Sequence, residues 1–514
     1  MAPSRMTCTV ASTAIAWFAL TLAAAAQTTA PATATAPATP GASAPATDAD
    51  SPPAEPTANP PPPPADPIED AIQRSKTLIP GVWTWGADAR LRDEWYINAT
   101  RLSRQAPNNQ EHFQRYRARW WTTINPVQDV EFYTRFTWEG RYYCSPKDPT
   151  TSNTRDPFHQ PHRGWMDERD GVIIDNLYLK LSHIGGSPFT IQAGRMDLGY
   201  GGGWLVYEGT PLDGTRAFYF DAVRVLTDLK DIDTTIDTVY VSVDAQGRGW
   251  FPKLKSDEIP ALLTEQDEQG AIVYITNKSL PNTSIEPYFI YKHSKHERFL
   301  KNTSYSRTRT GDDADIYTFG TRVAGTVDKR WNYSVDVAGQ FGHKNDRRLC
   351  ALGSLNRLGY LLNDKWENEF YVDYQYLSGD RRSTTGTDEN FDVLWGRWQY
   401  FDEVLGMTFI PETRYFQYAN LHRVSPGWKA RPLANFEVGL RYDLLFSDTR
   451  YLKNTSMFAD GRFRGQIIVP YFKYTFNPHM FTRVMPAFFF PGDYYAKSNN
   501  DPAFFCRWEV VFTW

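Results

Sequence analysis

The last eleven residues, FFCRWEVVFTW, alternate. Trp514, Phe512, Val510 and Trp508 fall on one face, and Thr513, Val511, Glu509 and Arg507 on the other. A period of two with one apolar and one largely polar face predicts a strand whose two sides meet different surroundings. The same period recurs from Gly81 onward. Trp83, Trp85, Ala87, Ala89 and Leu91 share a face, opposite Thr84, Asp88, Arg90, Arg92 and Glu94. In the next run Tyr116, Ala118, Trp120, Thr122 and Ile124 alternate with Arg115, Arg117 and Arg119. After an expected turn at Asn125-Pro126, Val130, Phe132, Thr134, Phe136 and Trp138 alternate with Asp129, Glu131, Tyr133, Arg135 and Glu139. A long loop, Tyr142 to Asp170, follows. Two-faced strands joined by a tight turn on one side and a long loop on the other predict a barrel meander.

Further strands are expected at Val172–Ser182, Phe189–Arg195, Phe218–Thr227, Ile236–Asp244, Ala271–Asn277 and Ile285–Tyr291. Ile316–Val327, Trp331–Gly342, Trp366–Leu377, Phe436–Phe446, Ile467–Phe476, Phe481–Phe490 and Phe504–Trp514 complete the series. The fold class is therefore all-β: a transmembrane antiparallel β-barrel of roughly 16–18 strands, wide enough for an aqueous lumen. A last strand ending on an aromatic suits the closing strand, which must pair with the first so that no edge faces lipid.

Composition agrees. The chain is 15% aromatic, yet its mean hydropathy is −0.52. Helical membrane proteins need runs of about 20 apolar residues, and past the leader there are none. Barrel strands average out polar because lipid-facing and lumen-facing residues alternate. A net charge of −4 gives no support to nucleic-acid binding.

The region before the barrel divides in three. Arg5, the apolar stretch Val10 to Leu22 and Ala24-Ala25-Ala26 read as a secretory signal peptide over residues 1–26. Residues 27–67 are mostly Ala, Pro and Thr, a composition expected to form a disordered tether. Such a tether reaches on the order of 100 Å and serves as a spacer or as a ligand for a periplasmic partner. Asp66, Pro67 and Glu69 then offer an N-cap, a first-turn proline and an acidic first turn, predicting a short helix to about Lys76 within a lead-in over 68–80. The barrel occupies 81–514. Three cysteines remain after cleavage, Cys144, Cys350 and Cys506. They are too few and too widely spaced for a disulfide framework or a zinc site, so they read as packing residues or one incidental pair.

Candidate chemistry lies on the polar strand faces. Arg90, Arg92, Arg115, Arg117, Arg119, Arg135, Arg322, Arg441 and Arg483 fall on the expected lumen side. Asp88, Glu94, Asp129, Glu131, Glu139, Glu369, Asp373, Glu437 and Asp443 accompany them. Guanidinium is always charged and presents a planar fork suited to carboxylates. A ladder of such groups gives an anion a path of many weak contacts. The alternative is a set of salt bridges stiffening a wall that faces water.

The stretch Ile191 to Val225, IQAGRMDLGYGGGWLVYEGTPLDGTRAFYFDAVRV, resembles the alginate-export porin family. The shared features are a strand ending Gly194-Arg195, a glycine-rich loop, and a strand reading Phe220-Asp221-Ala222-Val223-Arg224. The tail is also similar, with Phe490-Pro491-Gly492-Asp493-Tyr494-Tyr495 before the aromatic-terminated last strand. The resemblance extends loosely over Gly81 to Trp514. It implies an 18-stranded outer-membrane barrel whose arginine-rich pore passes an anionic polysaccharide, and it assigns Arg195 and Arg224 to the pore arginines. The Pro-rich tether, the terminal Trp and the many acids on the polar faces depart from that pattern.

Other chemistry finds little support. Tyr200-Gly201-Gly202-Gly203 lacks the Gly-Lys-Ser/Thr of a phosphate loop. His293 and His296 make at most half a metal site. Asp312, Asp313 and Asp315 read as an acidic loop tip rather than a calcium site. No nucleophile–base set is evident, and no cofactor is implied. Three function classes remain: a channel for an anionic polysaccharide such as alginate or its oligomers, a general or other-solute anion porin, and a barrel-scaffolded enzyme or adhesin. The expected partners are the outer-membrane bilayer, the anionic solute and a periplasmic protein reached through the tether.

Overall fold

A computed structural model describes residues 67–99, 101–106, 109–145, 166–167, 172–207, 219–243, 267–295, 312–381, 383–396, 406, 418–450 and 455–514. The expected signal peptide and the tether up to Asp66 lie outside the described residues, as does most of the loop expected between Tyr142 and Asp170.

Eighteen antiparallel strands close on themselves. In chain order they are β1 (Trp83–Ile97), β2 (Gln110–Val127), β3 (Val130–Ser145), β4 (Val172–Leu181), β5 (Phe189–Met196) and β6 (Phe220–Leu229). Then come β7 (Thr234–Val243), β8 (Glu268–Asn277), β9 (Thr283–Ser294), β10 (Ala314–Val327), β11 (Trp331–Lys344) and β12 (Arg347–Leu361). The last six are β13 (Glu369–Leu377), β14 (Leu421–Leu433), β15 (Phe436–Phe446), β16 (Phe463–Asn477), β17 (Met480–Pro491) and β18 (Ala503–Thr513). Each pairs with its sequence neighbours, and β18 returns to β1 from Asp88↔Thr513 to Ile97↔Phe504. Closure of this kind removes every edge, which lipid requires.

The alternation read from the sequence sets the two faces. On β1, Asp88, Arg90, Arg92 and Glu94 are buried while Trp95 and Ile97 are exposed. Trp120, Phe132, Leu179, Phe319, Phe370, Phe472, Trp508 and Phe512 are exposed in the same way around the wall. That outward band is the lipid-facing surface of a barrel. Short turns join strands at one end. The first is Gln128-Asp129, because β2 runs through Asn125-Pro126 and does not turn there. Asp129, with φ 62°, sits in that turn beside His183 and so leaves the wall altogether. Long connections occupy the other end, except between β11 and β12. There Asn345 (φ 49°) and Asp346 (φ 64°) form a two-residue turn of the left-handed kind that suits strand twist.

Two of these strands, β12 and β14, are absent from the expected set. On β12 the inward positions between Arg347 and Arg357 are Leu349, Ala351, Gly353 and Leu355, so the polarity contrast that marks a barrel strand is lost over most of its length. On β14, Pro426, Gly427 and Pro432 interrupt the pattern. Pro426 is nonetheless paired with Val372 and points outward, so the ring faces the lipid side.

A short helix, α1 (Pro67–Lys76), and the segment Thr77–Ile79 lie at the short-turn end. Thr77–Ile79 pairs with Trp83 and Thr84, where β18 has already run out. Glu69 meets His479 at 2.6 Å, and Ser75 accepts from Trp514 Nε1 at 3.2 Å. The first and last strands are thus covered together where their shared edge is open.

Candidate functional site

The inner wall is densely charged, and its order comes from the ladder. One register row runs Arg483, Glu509, Arg92, Arg115, Arg141 across β17, β18, β1, β2 and β3. The row beside it runs Arg90, Arg117, Glu139. Arg92 Nε donates to Glu509 at 2.6 Å, and Arg483 meets the same carboxylate at 2.5 Å. Glu94 accepts from Arg507 at 2.7 Å and from Arg115 on its other oxygen. Asp88 holds Arg119 at 2.5 Å and Arg117 at 3.5 Å. Arg90 is buried on the same face, opposite Arg117. The inner faces of these five strands carry nine arginines and six carboxylates.

A bulge extends the network into β4. The register slips between Arg135 and Phe136, which lets both Asp175 and Asn176 turn inward. Arg135 then donates to Asp175 at 2.8 Å and, through both terminal nitrogens, to Asp197 at 2.7 and 3.0 Å. Counting those two acids, nine arginines face eight carboxylates.

Exposure sorts the arginines into two kinds. Side chains of Arg92, Arg115, Arg117, Arg119 and Arg135 are 9% exposed or less. Others keep a face in water while holding one acid each. Arg224 (31%) meets Asp237 at 2.6 Å, and Arg322 (19%) meets Glu286 at 2.9 Å. Arg441 (22%) meets Asp443 at 3.0 Å, and Arg483 (15%) meets Glu509. Arg357 and Lys429 behave similarly around Glu369, at 3.2 and 2.9 Å, with Asp373 a further 3.5 Å partner of Arg357. Glu131 pairs with Lys180 at 3.5 Å, and Glu437 with Arg431 at 3.5 Å.

Arg195 requires a correction. Its ladder partners are Leu177 and Asp221, which puts it on the parity of Ala193 and Val223 rather than that of Gln192 and Arg224. It is buried, donates to Asp221 at 2.8 and 3.1 Å, and lies 3.8 Å over the Tyr219 ring. It therefore pins the ends of β5 and β6 together and does not line the interior. Arg357, Lys429, Arg141 and Arg507 were missed. The first two lie on the two unexpected strands, whereas Arg507 stands on the polar parity of the terminal strand and was there to be read.

Two long connections enter the barrel. After β5, Tyr200 stacks on Tyr274 at 4.8 Å and donates to Asp237 at 2.8 Å. Burial and the adjacent carboxylate push the Tyr200 phenol well above its usual range, so it remains a donor. After β13, Phe391 covers Gly353, where a Cβ would stand 2.7 Å from the ring, and Trp395 covers Gly270. Asp392 lies between Lys344 (3.2 Å) and Lys292 (3.4 Å), and Trp395 Nε1 donates to Glu268 at 2.9 Å. The two connections meet at a parallel bridge, Val206↔Trp395, with Trp204 stacked on Phe391 at 5.4 Å. This explains the apolar inner face of β12: it is the seat of an in-folded loop.

A closed wall of this size, apolar outside and charged within, narrowed by loops folded into its interior, is the build of an outer-membrane channel. The sequence profile described as alginate export matches residues 85–503. The chain belongs to the alginate export family. Among solved structures, Acinetobacter baumannii OccAB2 is similar at 12% identity and a TM-score of 0.50, over 84% of this chain and 98% of that one. Pseudomonas aeruginosa OpdQ is similar at 11% identity and a TM-score of 0.48, with the same coverage of 84% and 98%. At such identity the likeness concerns the fold alone. No curated protein matches the chain. As a member of this family with a porin-like barrel, the protein is placed in the outer membrane as a channel.

Proposed function

We propose that the channel passes an anionic polysaccharide, a polyuronate such as alginate or its oligomers, along an arginine-bearing lumen. The observation that carries this reading is the set of part-exposed cations, Arg224, Arg322, Arg357, Lys429, Arg441 and Arg483, spread around the wall on six different strands. Each is held in place by at least one carboxylate yet stays part-exposed on the inner wall. A polyuronate presents a carboxylate on every sugar, so separated, oriented guanidiniums offer successive weak contacts in place of one tight site. The family's descriptor, alginate export, points to the same solute.

A second reading rests on the near balance of nine arginines and eight acids in the β17–β4 sector. A wall so compensated suits a general anion porin of modest selectivity. Oligouronate added to single channels in a planar bilayer separates the two. The first reading expects concentration-dependent interruptions of current by oligouronate and none by a neutral oligosaccharide of equal length. Equal, unresolved effects of both sugars would leave only the general porin.

A further inference from the structure

The outer face carries a charged row that passage of solute does not use. At the long-loop end of β9–β12 the ladder sets His293, Asp315, His343 and Arg348 side by side. Their neighbours Lys292, Ala314, Lys344 and Leu349 are buried on the inner side, so all four point outward. Asp315 and His293 are 45% and 37% exposed, and His343 and Arg348 are exposed too. Asp315 accepts from the Tyr291 hydroxyl at 2.6 Å and is bonded to His293 Nδ1 at 2.9 Å. Arg347 turns inward to Asp380 at 2.9 Å, but no carboxylate among the described residues pairs with Arg348.

Position along the strand gives the depth. Two residues nearer the short turns on the same strands stand Tyr291, Tyr317, Phe341 and Cys350, with Tyr291 and Tyr317 stacked at 5.1 Å. Beyond them lies the Phe289–Phe319 pair at 4.9 Å, with Phe319 among the most exposed apolar side chains. Aromatic girdles mark the edge of the hydrocarbon. At about 3.4 Å per residue the charged row stands about 7 Å above it, at headgroup depth. The β11–β12 turn has only two residues, and the connection after β13 runs beside Arg348 as a backbone partner, with Thr387 opposite it and the Arg348 N–H donating to the Gly386 carbonyl at 3.1 Å. Among the described residues, the other outer-face histidines at this end are arranged differently. His112 stacks on Trp95 at 3.6 Å and bonds Asp93, while His422 lies between Tyr374 and Asp448; neither has an arginine beside it in its row.

We infer that this row binds the phosphate of a phosphorylated glycolipid in the outer leaflet. The Arg348 fork takes two phosphate oxygens. His343 donates from the neighbouring strand, and His293, oriented by Asp315, stands two strand spacings further on, about 10 Å away. Asp315 is already engaged by two donors, and Arg348 is the cation the row offers, with the exposed acids Asp313 and Asp346 above it at the loop end. The inference is independent of what the lumen passes.

The test uses the full-length protein in non-ionic detergent, with a bis-phosphorylated glycolipid of the lipid A type and its dephosphorylated counterpart as probes. Native mass spectrometry reads the bound fraction. Loss of one charge-assisted hydrogen bond corresponds to roughly ten-fold in affinity. The phosphorylated lipid is expected to bind at least about ten-fold more tightly than the dephosphorylated one, and Arg348→Gln with His343→Gln to remove that preference. Arg348→Lys should restore part of it. Equal binding of the two lipids to the wild type, binding of neither, or an undiminished preference in the double variant each overturns the proposal. Should the double variant not fold, Arg348→Gln alone takes its place, and an undiminished preference in that variant overturns the proposal.

Discussion

Glu94→Gln is the substitution from which the inner wall should suffer most. The Glu94 side chain is wholly buried and sits between Arg507 on β18 and Arg115 on β2, both themselves buried. Those three strands include the seam where the barrel closes. Glutamine keeps the shape and removes the charge, leaving two guanidiniums in a site that also faces Arg92. Breaking a buried ion pair by removing one partner costs about 3–5 kcal/mol, and here one carboxylate serves two partners. Arg224→Gln offers the contrast, because the arginine is part-exposed, glutamine keeps a donor within the site, and Tyr200 still donates to the Asp237 carboxylate. The assay is the temperature at which the compact, heat-modifiable band of the purified protein converts to the unfolded band in a denaturing gel. Glu94→Gln should convert well below the wild type and Arg224→Gln close to it. Adding Arg115→Gln to Glu94→Gln should recover part of the loss by removing one orphaned cation. Wild-type behaviour of Glu94→Gln would show that the buried network does not hold the seam, and the division of the arginines into two kinds would fall.

Three further outcomes follow from the same geometry. Replacing Arg224, Arg322 and Arg441 together by Gln should lower the anion-to-cation permeability ratio at low salt while leaving the folded band intact, and the effect should fade as screening shortens below about 8 Å; an unchanged ratio at low salt would make these arginines structural. Asp392→Asn leaves Lys292 and Lys344 without their shared carboxylate, so the loop after β13 should loosen and single-channel current should rise or flicker; a quiet channel of wild-type conductance would mean that the apolar contacts of Phe391 and Trp395 hold the loop alone. Deleting Phe512 to Trp514 removes ladder positions that pair with Asp88 and Ala89 on β1 and with Met480 on β17, and should prevent stable insertion; a protease-resistant barrel surviving in the outer membrane would contradict this.

Much of the barrel is legible in the sequence because lipid and water impose opposite chemistry on alternate residues. β1, β2, β3 and β18 show their phase directly, and the arginines on them fall where that phase puts them. The phase fails where a third environment intervenes. The inner face of β12 meets loop residues instead of water, so Leu349, Ala351 and Leu355 read as ordinary apolar positions. β14 tolerates Pro426 because its ladder to β15 lapses at Ser425 and Pro426, where the proline has no N–H to give, a circumstance no local pattern reveals. Arg195 went to the wrong face because a motif gives identity without register. Pairing was the least visible feature: which carboxylate holds which arginine depends on neighbouring strands far apart in sequence, as with Arg92 and Glu509, or on a bulge, as with Asp175.

The most direct test of an arginine-bearing anion channel is the reversal potential of the purified protein in a planar bilayer under a salt gradient at low ionic strength. A potential of the sign that favours chloride over potassium, shrinking as salt is raised, is the predicted result. A cation-selective or non-selective potential at low salt would contradict the account, since the part-exposed arginines would then contribute no field to the lumen.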